Sequence, residues 1–126
     1  MQTLIVMAHG SRSKAANNEF KTYVRELTSL LSGMYDKIGY AFLDEVASPL
    51  LPAAAKKMIA AGATQIDIYP FFLNKGKHAR RDIPALVSTL KTENPGCKIK
   101  VLEYLGRSEE LVSLSMRHII TQRQEQ

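Results

Sequence analysis

The 126-residue chain contains one cysteine, no tryptophan and no long apolar stretch. A single thiol, Cys97, excludes an internal disulfide and favours a reducing compartment, so we expect the protein to act in the cytoplasm. No apolar run approaches the roughly 18 residues that span a bilayer, and we therefore expect no membrane partner. The apolar start, Leu4–Ala8, follows no basic segment, which disfavours a secretory signal.

Basic residues outnumber acidic residues in this chain, and the formal net charge is +5. This net positive charge favours anionic partners but does not identify them. The densest basic group surrounds His78 and consists of Lys75, Lys77, Arg80 and Arg81. Aromatic residues make up only 7% of the chain and no nucleic-acid-binding motif is present, so we expect a small anionic ligand and no nucleic acid.

Short apolar runs alternate with amphipathic segments along the chain, which predicts the order βαβαβαβα. Asp82 is the predicted cap of the third helix, with Pro84 in its first turn. We expect one α/β domain over residues 1–126, a mostly parallel four-stranded sheet with helices on both faces and a fraying polar tail from about residue 122. The predicted strands are Thr3–Ala8, Lys37–Leu43, Thr64–Tyr69 and Lys98–Leu102, and the predicted helices span about Lys14–Ser32, Leu51–Ala61, Ile83–Thr92 and, after a cap at Ser108, the stretch to about Thr121.

Two histidines follow predicted strands: His9 comes after the first strand and His78 lies in the loop after the third. The carboxyl ends of parallel strands share one rim of the sheet, where ligands bind. Imidazole is the commonest metal ligand in proteins. Asp44 and Glu45 follow the second strand and could complete a metal site or accept protons. We therefore predict metal chemistry at this rim, with a purely structural role for each histidine as the alternative.

Further residues flank these histidines. Gly10 permits a sharp turn after His9, which would bring Arg12 toward the rim. The basic loop around the second histidine could neutralise carboxylates of a ligand, since arginine binds carboxylates bidentately. The His-Gly pair also resembles the phosphate site of histidine phosphatases, but Ala8 stands where that site needs an arginine. His118, inside the last predicted helix, is expected to be a packed or surface residue.

The segments His9–Arg12, Ala41–Asp44 and Pro70–Pro84 together resemble the short CbiX/SirB group of class II tetrapyrrole chelatases. The third segment is the most specific, because it carries a glycine, then His78, then Asp-Ile-Pro. The resemblance spans roughly residues 3 to 105. It implies a flavodoxin-like three-layer fold and the insertion of Co²⁺, or of Fe²⁺ or Ni²⁺, into sirohydrochlorin in cobalamin or sirohaem-type tetrapyrrole biosynthesis. The divalent metal would be a substrate, and no organic cofactor is implied.

The resemblance also implies roles for individual residues. The two functional histidines of the family would fall on His9 and His78, acting jointly as metal ligand and general base. The family's acid after the second strand would fall on Asp44 as a further metal ligand, where many members carry glutamate; a second acid is absent unless Glu45 replaces it. The short length implies a homodimer. The alternative function is a non-catalytic carrier or regulator that binds metal or tetrapyrrole. The carboxylates of the substrate would be bound by Ser11, Arg12, Lys75, Lys77, Arg80 and Arg81.

Overall fold

The computed structural model describes residues 1–125 and contains one parallel sheet with helices on both faces. The α/β class predicted from the sequence is confirmed. In chain order the elements are β1 (Gln2–Ala8), α1 (Lys14–Leu30), β2 (Lys37–Phe42), α2 (Leu51–Ala60), β3 (Gln65–Pro70), α3 (Lys77–Glu93), β4 (Lys98–Val101), a 3₁₀ turn (Leu105–Arg107, hereafter the 105–107 turn) and α4 (Glu110–Gln124).

The sheet has the strand order β2-β1-β3-β4, and all neighbouring strands run parallel. The inner strand β1 is apolar from Leu4 to Ala8 because both of its faces are covered there; Leu4, Ile5, Val6 and Met7 are all buried. Every strand therefore ends at the same rim. The chain segments that follow β1, β2 and β3 leave from this rim, so the predicted site residues are brought to one side of the molecule.

The two faces of the sheet are packed unequally. On one face α2 and α3 cover a core of 17 buried residues that includes Ile5, Met7, Ile66 and Ile68. On the other face α1 contributes Phe20 and Val24 to a cluster with only five fully buried members. The second face is therefore covered by a single helix in the described part of the chain.

Helix α3 begins at Lys77, so the prediction of a cap at Asp82 and a start at Ile83 is wrong. The apolar stripe of this helix begins earlier than the large residues suggest, because Ala79 is fully buried and is followed at helical spacing by the other buried positions Ile83, Val87 and Leu90. Burial of this stripe offsets the cost of Pro84, which lies in the helix interior and cannot donate a backbone hydrogen bond.

As a consequence, four of the residues predicted to lie in the loop after the third strand lie on the helix. Lys77, His78, Arg80 and Arg81 belong to the first turns of α3, and only Lys75 precedes the helix. His78 and Asp82 are four residues apart, which places their side chains on the same helix face.

The last helix also differs from its prediction. It begins at Glu110, although the hydroxyl of Ser108 does accept a hydrogen bond from the Glu110 backbone at 3.3 Å. The helix continues through Gln124, so residues 122–124 of the predicted fraying tail are helical, and Gln126 lies outside the described residues. Over residues 1–125, no helix combines the length and the apolar character needed to cross a bilayer.

Candidate functional site

Hydrogen bonds beyond the strand ends hold His9 and Asp44 side by side. The backbone N–H of Leu43 donates to the carbonyl of Ala8 at 2.9 Å, and the N–H of Asp44 donates to the carbonyl of His9 at 2.8 Å. The parallel pairing of β1 and β2 therefore continues for two residues after the strands end. His9 and Asp44, which were predicted as site residues after two different strands, are therefore neighbours.

The turn after His9 depends on Gly10. Its φ of +95° lies in the left-handed region, and a Cβ at this position would come within 3.3 Å of the Cβ atoms of Phe42 and Ala47. Asn17 of α1 then fixes the following residue, since its amide donates to the Ser11 carbonyl at 2.7 Å and its oxygen accepts from the Ser11 N–H at 3.0 Å. The loop that carries Arg12 is therefore anchored to α1 by its own backbone.

The imidazole of His9 is exposed, but one of its faces is covered. The ring stacks on Phe72 with centroids 4.0 Å apart and planes inclined by 20°. Phe72 is only 3% exposed, and the preceding N–H, of Phe71, donates to the Met7 carbonyl at 2.7 Å. The stack restricts the ring to one plane, while the side chain remains exposed.

His78 lies in the first turn of α3, where its neighbours are charged. Nη2 of Arg81 lies 3.4 Å from Nδ1 of His78, and Nε of the same arginine lies 3.5 Å from Asp82. A guanidinium only donates hydrogen bonds, so this contact requires Nδ1 of His78 to be the unprotonated nitrogen.

One cavity of about 490 Å³ at the rim is lined by residues that include His9, Asp44 and His78. The structure thus brings together both predicted histidines and the predicted acid, and it adds Asp82 to them. With neutral imidazoles the lining contains three carboxylates and one ammonium group, so its net charge is negative and suits a cation. The charged and imidazole side chains that line it are those of His9, Asp44, Glu45, Lys77, His78 and Asp82.

These side chains line the same cavity, but they do not converge on a single position for a metal ion. Within residues 1–125, no three histidine, cysteine, aspartate or glutamate side chains lie close enough to hold one metal ion. A cavity with loosely spaced donors leaves coordination positions open for another ligand.

The other predicted binding residues lie outside the cavity lining. Arg12 is exposed on the β1–α1 loop, while Lys75 lies with its ammonium 5.9 Å from the ring centre of Tyr104. Arg80 donates from Nε to the Lys75 carbonyl at 3.2 Å. Among the predicted substrate-binding residues, Lys77 is the one that lines the cavity. His118 is exposed on α4, in agreement with a surface role.

Two residues support the site through contacts that were not predicted from the sequence. Phe72 supports His9, as described above. Gly106, in the 105–107 turn, donates from its N–H to the Phe72 carbonyl at 2.9 Å, and a Cβ here would overlap the carbonyl oxygen of Leu73 and lie 2.6 Å from its carbon. Both contacts join residues far apart in sequence, and neither has a local pattern that would reveal it.

Comparison with known proteins identifies relatives over nearly the whole chain. The family model described as CbiX matches residues 3–122. The sirohydrochlorin cobaltochelatase of Sulfurisphaera tokodaii is 29% identical over 114 residues, which are 90% of this chain and 88% of that protein.

Relatives with longer chains match over part of their length. The sirohydrochlorin ferrochelatase of Bacillus subtilis is 27% identical over 111 residues, 88% of this chain but only 41% of that protein. The crystal structure of the sirohydrochlorin chelatase SirB from Bacillus subtilis subspecies spizizenii, in complex with cobalt, superposes with a TM-score of 0.82 at 25% identity. That match covers 96% of this chain and 51% of SirB, so this chain spans about half of the solved relative.

Proposed function

The chain belongs to the CbiX family, and from this premise we propose that it is an enzyme that inserts a divalent metal ion into sirohydrochlorin. Co²⁺ is the first candidate, because the Sulfurisphaera relative is a cobaltochelatase and SirB was crystallised with cobalt. Fe²⁺ is the second, from the Bacillus ferrochelatase, and Ni²⁺ is a further alternative. The metal is a substrate of this reaction, and we propose no organic cofactor.

The observation that carries this proposal is the cavity that joins His9, Asp44 and His78 at the rim. Metal insertion requires a divalent ion to lose water and two pyrrole N–H groups of the ring to lose their protons. Imidazole nitrogens bind Co²⁺, Ni²⁺ and Fe²⁺, and they also accept protons near neutral pH. The loose spacing of the donors lets the ring nitrogens replace protein ligands, so that the ion is released into the ring.

His9 and His78 act jointly as metal ligand and general base. The Phe72 stack holds the plane of the His9 ring, so its nitrogens keep one direction while ligands exchange. Nδ1 of His78 is the acceptor in its contact with Arg81, so this nitrogen becomes free to take a proton or a metal ion when the arginine moves away. Asp44 provides a carboxylate beside His9 and adds negative charge where the cation enters.

The lysine and arginine residues near the cavity suit the periphery of the substrate. Sirohydrochlorin is a polycarboxylated ring, and its centre needs acidic and imidazole groups while its edge needs cations. Lys77 lines the cavity, and Arg80 and Arg81 lie in the same first turns of α3. Lys75 and Arg12 lie on the connections that follow β3 and β1 at the same rim. We propose that these groups, with Ser11, pair with the carboxylates of the ring, with bidentate contacts from the arginines.

We further propose that the chain works as a homodimer in the cytoplasm. Its one cysteine, Cys97, is buried and reduced, which suits a reducing compartment. The product would enter cobalamin or sirohaem-type tetrapyrrole biosynthesis.

The proposal is tested by following the absorbance of sirohydrochlorin after addition of Co²⁺ and catalytic amounts of protein. We expect His9→Ala and His78→Ala to lower turnover at least 100-fold, with unfolding temperatures near that of the unchanged protein, because both side chains are exposed. His118→Ala is the matched control, an exposed histidine away from the rim, and should keep full turnover. Near-full turnover in either rim variant would remove that histidine from the mechanism. Tight binding of substrate without turnover by the unchanged protein would instead favour a carrier.

A further inference from the structure

One guanidinium group contacts two of the side chains that line the rim cavity. Nη2 of Arg81 lies 3.4 Å from Nδ1 of His78, and Nε of the same arginine lies 3.5 Å from Oδ1 of Asp82. His78 and Asp82 line the cavity, whereas Arg81 lies outside its lining. Arg81 therefore occupies the Nδ1 lone pair of the histidine and one oxygen of the carboxylate at the same time.

His78 and Asp82 are suited to bind one metal ion together. Residues four apart on a helix lie on the same face, with about 5–6 Å between their Cβ atoms, so an imidazole and a carboxylate at this spacing can reach one ion. Both groups bind divalent first-row metals. His9 and Asp44 are held side by side at the strand ends and line the same cavity. The cavity thus has two pairs of an imidazole and a carboxylate, and Arg81 covers the pair on α3.

The contacts of Arg81 are weak enough to be exchanged. Its side chain is 74% exposed and that of Asp82 is 47% exposed. Both distances are longer than those of good hydrogen bonds, and exposed ion pairs contribute little free energy. Arg80, by contrast, is tied to the backbone, since its Nε donates to the Lys75 carbonyl at 3.2 Å. Arg81 is therefore free to move to a stronger partner at small cost.

A carboxylate of the substrate is a stronger partner. A guanidinium binds a carboxylate through two parallel hydrogen bonds, which together exceed a single long contact to an imidazole. A guanidinium has no lone pair for a metal ion, and its positive charge repels one. While Arg81 lies between His78 and Asp82, one ion cannot be bound by both residues.

We propose that His78 and Asp82 form a metal-binding pair that Arg81 covers, and that the polycarboxylated ring uncovers this pair by binding the guanidinium through one of its own carboxylates. Asp82 then acts as a metal ligand beside His78, and Arg81 acts as a positioning residue. The ring binds before the ion, and the protein alone holds Co²⁺ weakly. This inference rests on the metal insertion proposed above and adds an order of binding to it.

Equilibrium dialysis with Co²⁺ alone gives the first test, because it requires neither substrate nor turnover. Arg81→Gln should bind Co²⁺ about fivefold more tightly than the unchanged chain, since both donors are uncovered. Lys77→Gln is the matched control; it removes an equal charge from the cavity lining and should change the affinity by less than about twofold. Equal gains in the two variants would reduce the effect of Arg81 to its charge and would overturn the proposal.

The role of Asp82 is measured in the same way. In a chain that already carries Asp82→Asn, the further change Arg81→Gln should raise the affinity for Co²⁺ by less than about twofold, because the second donor is missing. Arg81 is exposed and Asp82 is half-buried, and circular dichroism establishes that each variant is folded. A gain as large as that in the unchanged background would show that Asp82 is not a metal ligand and would overturn the proposal.

The effect of the ring is tested with uroporphyrin that already holds copper at its centre. This ring carries peripheral carboxylates but has no free centre for Co²⁺. At a saturating concentration, established from the shift of its absorbance, it should raise the Co²⁺ affinity of the unchanged chain about fivefold and that of Arg81→Gln by less than about twofold. Cobalt bound by the ring without protein is subtracted.

An equal effect of the ring on the two chains, including no effect on either, would overturn the proposed order of binding. Catalysed insertion of Co²⁺ into sirohydrochlorin is measured separately by absorbance. The proposed enzyme activity and the cover formed by Arg81 can therefore fail independently of each other.

Discussion

Replacement of Gly106 by alanine is the sharpest test of how the rim is held together. The added Cβ would overlap the Leu73 carbonyl oxygen and lie 2.6 Å from its carbon, and both are backbone atoms that cannot rotate away. The 105–107 turn and the segment that carries Phe72 must therefore separate by roughly 1.5–2 Å to restore ordinary contact distances. The displacement also stretches the 2.9 Å hydrogen bond from Gly106 to Phe72.

The expected cost follows from these two effects. A lost backbone hydrogen bond costs about 1 kcal/mol, and forced displacement of a packed segment costs about 1–3 kcal/mol. We expect Gly106→Ala to lower the free energy of unfolding by about 2–4 kcal/mol in urea titrations. Because the displaced segment supports the His9 ring, we also expect cobalt insertion at 25 °C to fall by about 100-fold, as misplacement of about 1 Å can do.

Gly96→Ala is the matched control for this prediction. A Cβ at residue 96 meets no atom within 4 Å, so its unfolding free energy should change by no more than about 0.5 kcal/mol, with turnover unchanged. Circular dichroism establishes that both variants are folded at the assay temperature. If Gly106→Ala matches the control in stability and turnover, the 105–107 turn does not support the rim as described.

Three further outcomes are expected. Phe72→Leu removes the ring under His9, so turnover should fall about tenfold with a loss of only about 1–2 kcal/mol in stability, and unchanged turnover would show that the stack does not position the imidazole. Asp44→Asn should lower cobalt insertion at least tenfold while Asp44→Glu keeps most of it; equal loss in both would argue against a carboxylate requirement. Burial and the adjacent Asp67 carboxylate raise the pKa of Tyr35 from 10.0 to about 12, so its neutral form stabilises the fold below pH 10 and that contribution is lost as the pH rises to 12. Urea titrations at pH 9 and 11 should show a smaller fall in stability for Tyr35→Phe, and an equal fall would place the titrating group elsewhere.

The strands and the meeting of the site residues could be predicted because both follow from simple periodicity. A continuous apolar run such as Leu4–Ala8 fits a strand covered on both faces. Once four parallel strands are predicted, the residues that follow them must share one rim, which is how His9, Asp44 and His78 come to line one cavity.

The start of α3 and the supporting contacts escaped prediction for physical reasons. Asp82 and Pro84 form a common helix-start pattern, and the buried Ala79 that carries the helix one turn further back gives a weak apolar signal. Phe72 and Gly106 act through contacts with residues distant in sequence, which no local pattern records. None of the described residues of α4 is buried, and this exposure depends on the whole surface of the fold, which a local pattern does not record.

The activity that we propose for this chain is the insertion of a divalent metal into sirohydrochlorin at the rim. Its most direct test is the initial rate of Co²⁺ insertion with the substrate in large excess over the unchanged protein, measured beside the same mixture without protein. We expect many turnovers per chain, with a rate of Co²⁺ insertion well above the spontaneous rate. A rate equal to the spontaneous rate, or absorbance changes that stop after one equivalent of substrate per site, would contradict it.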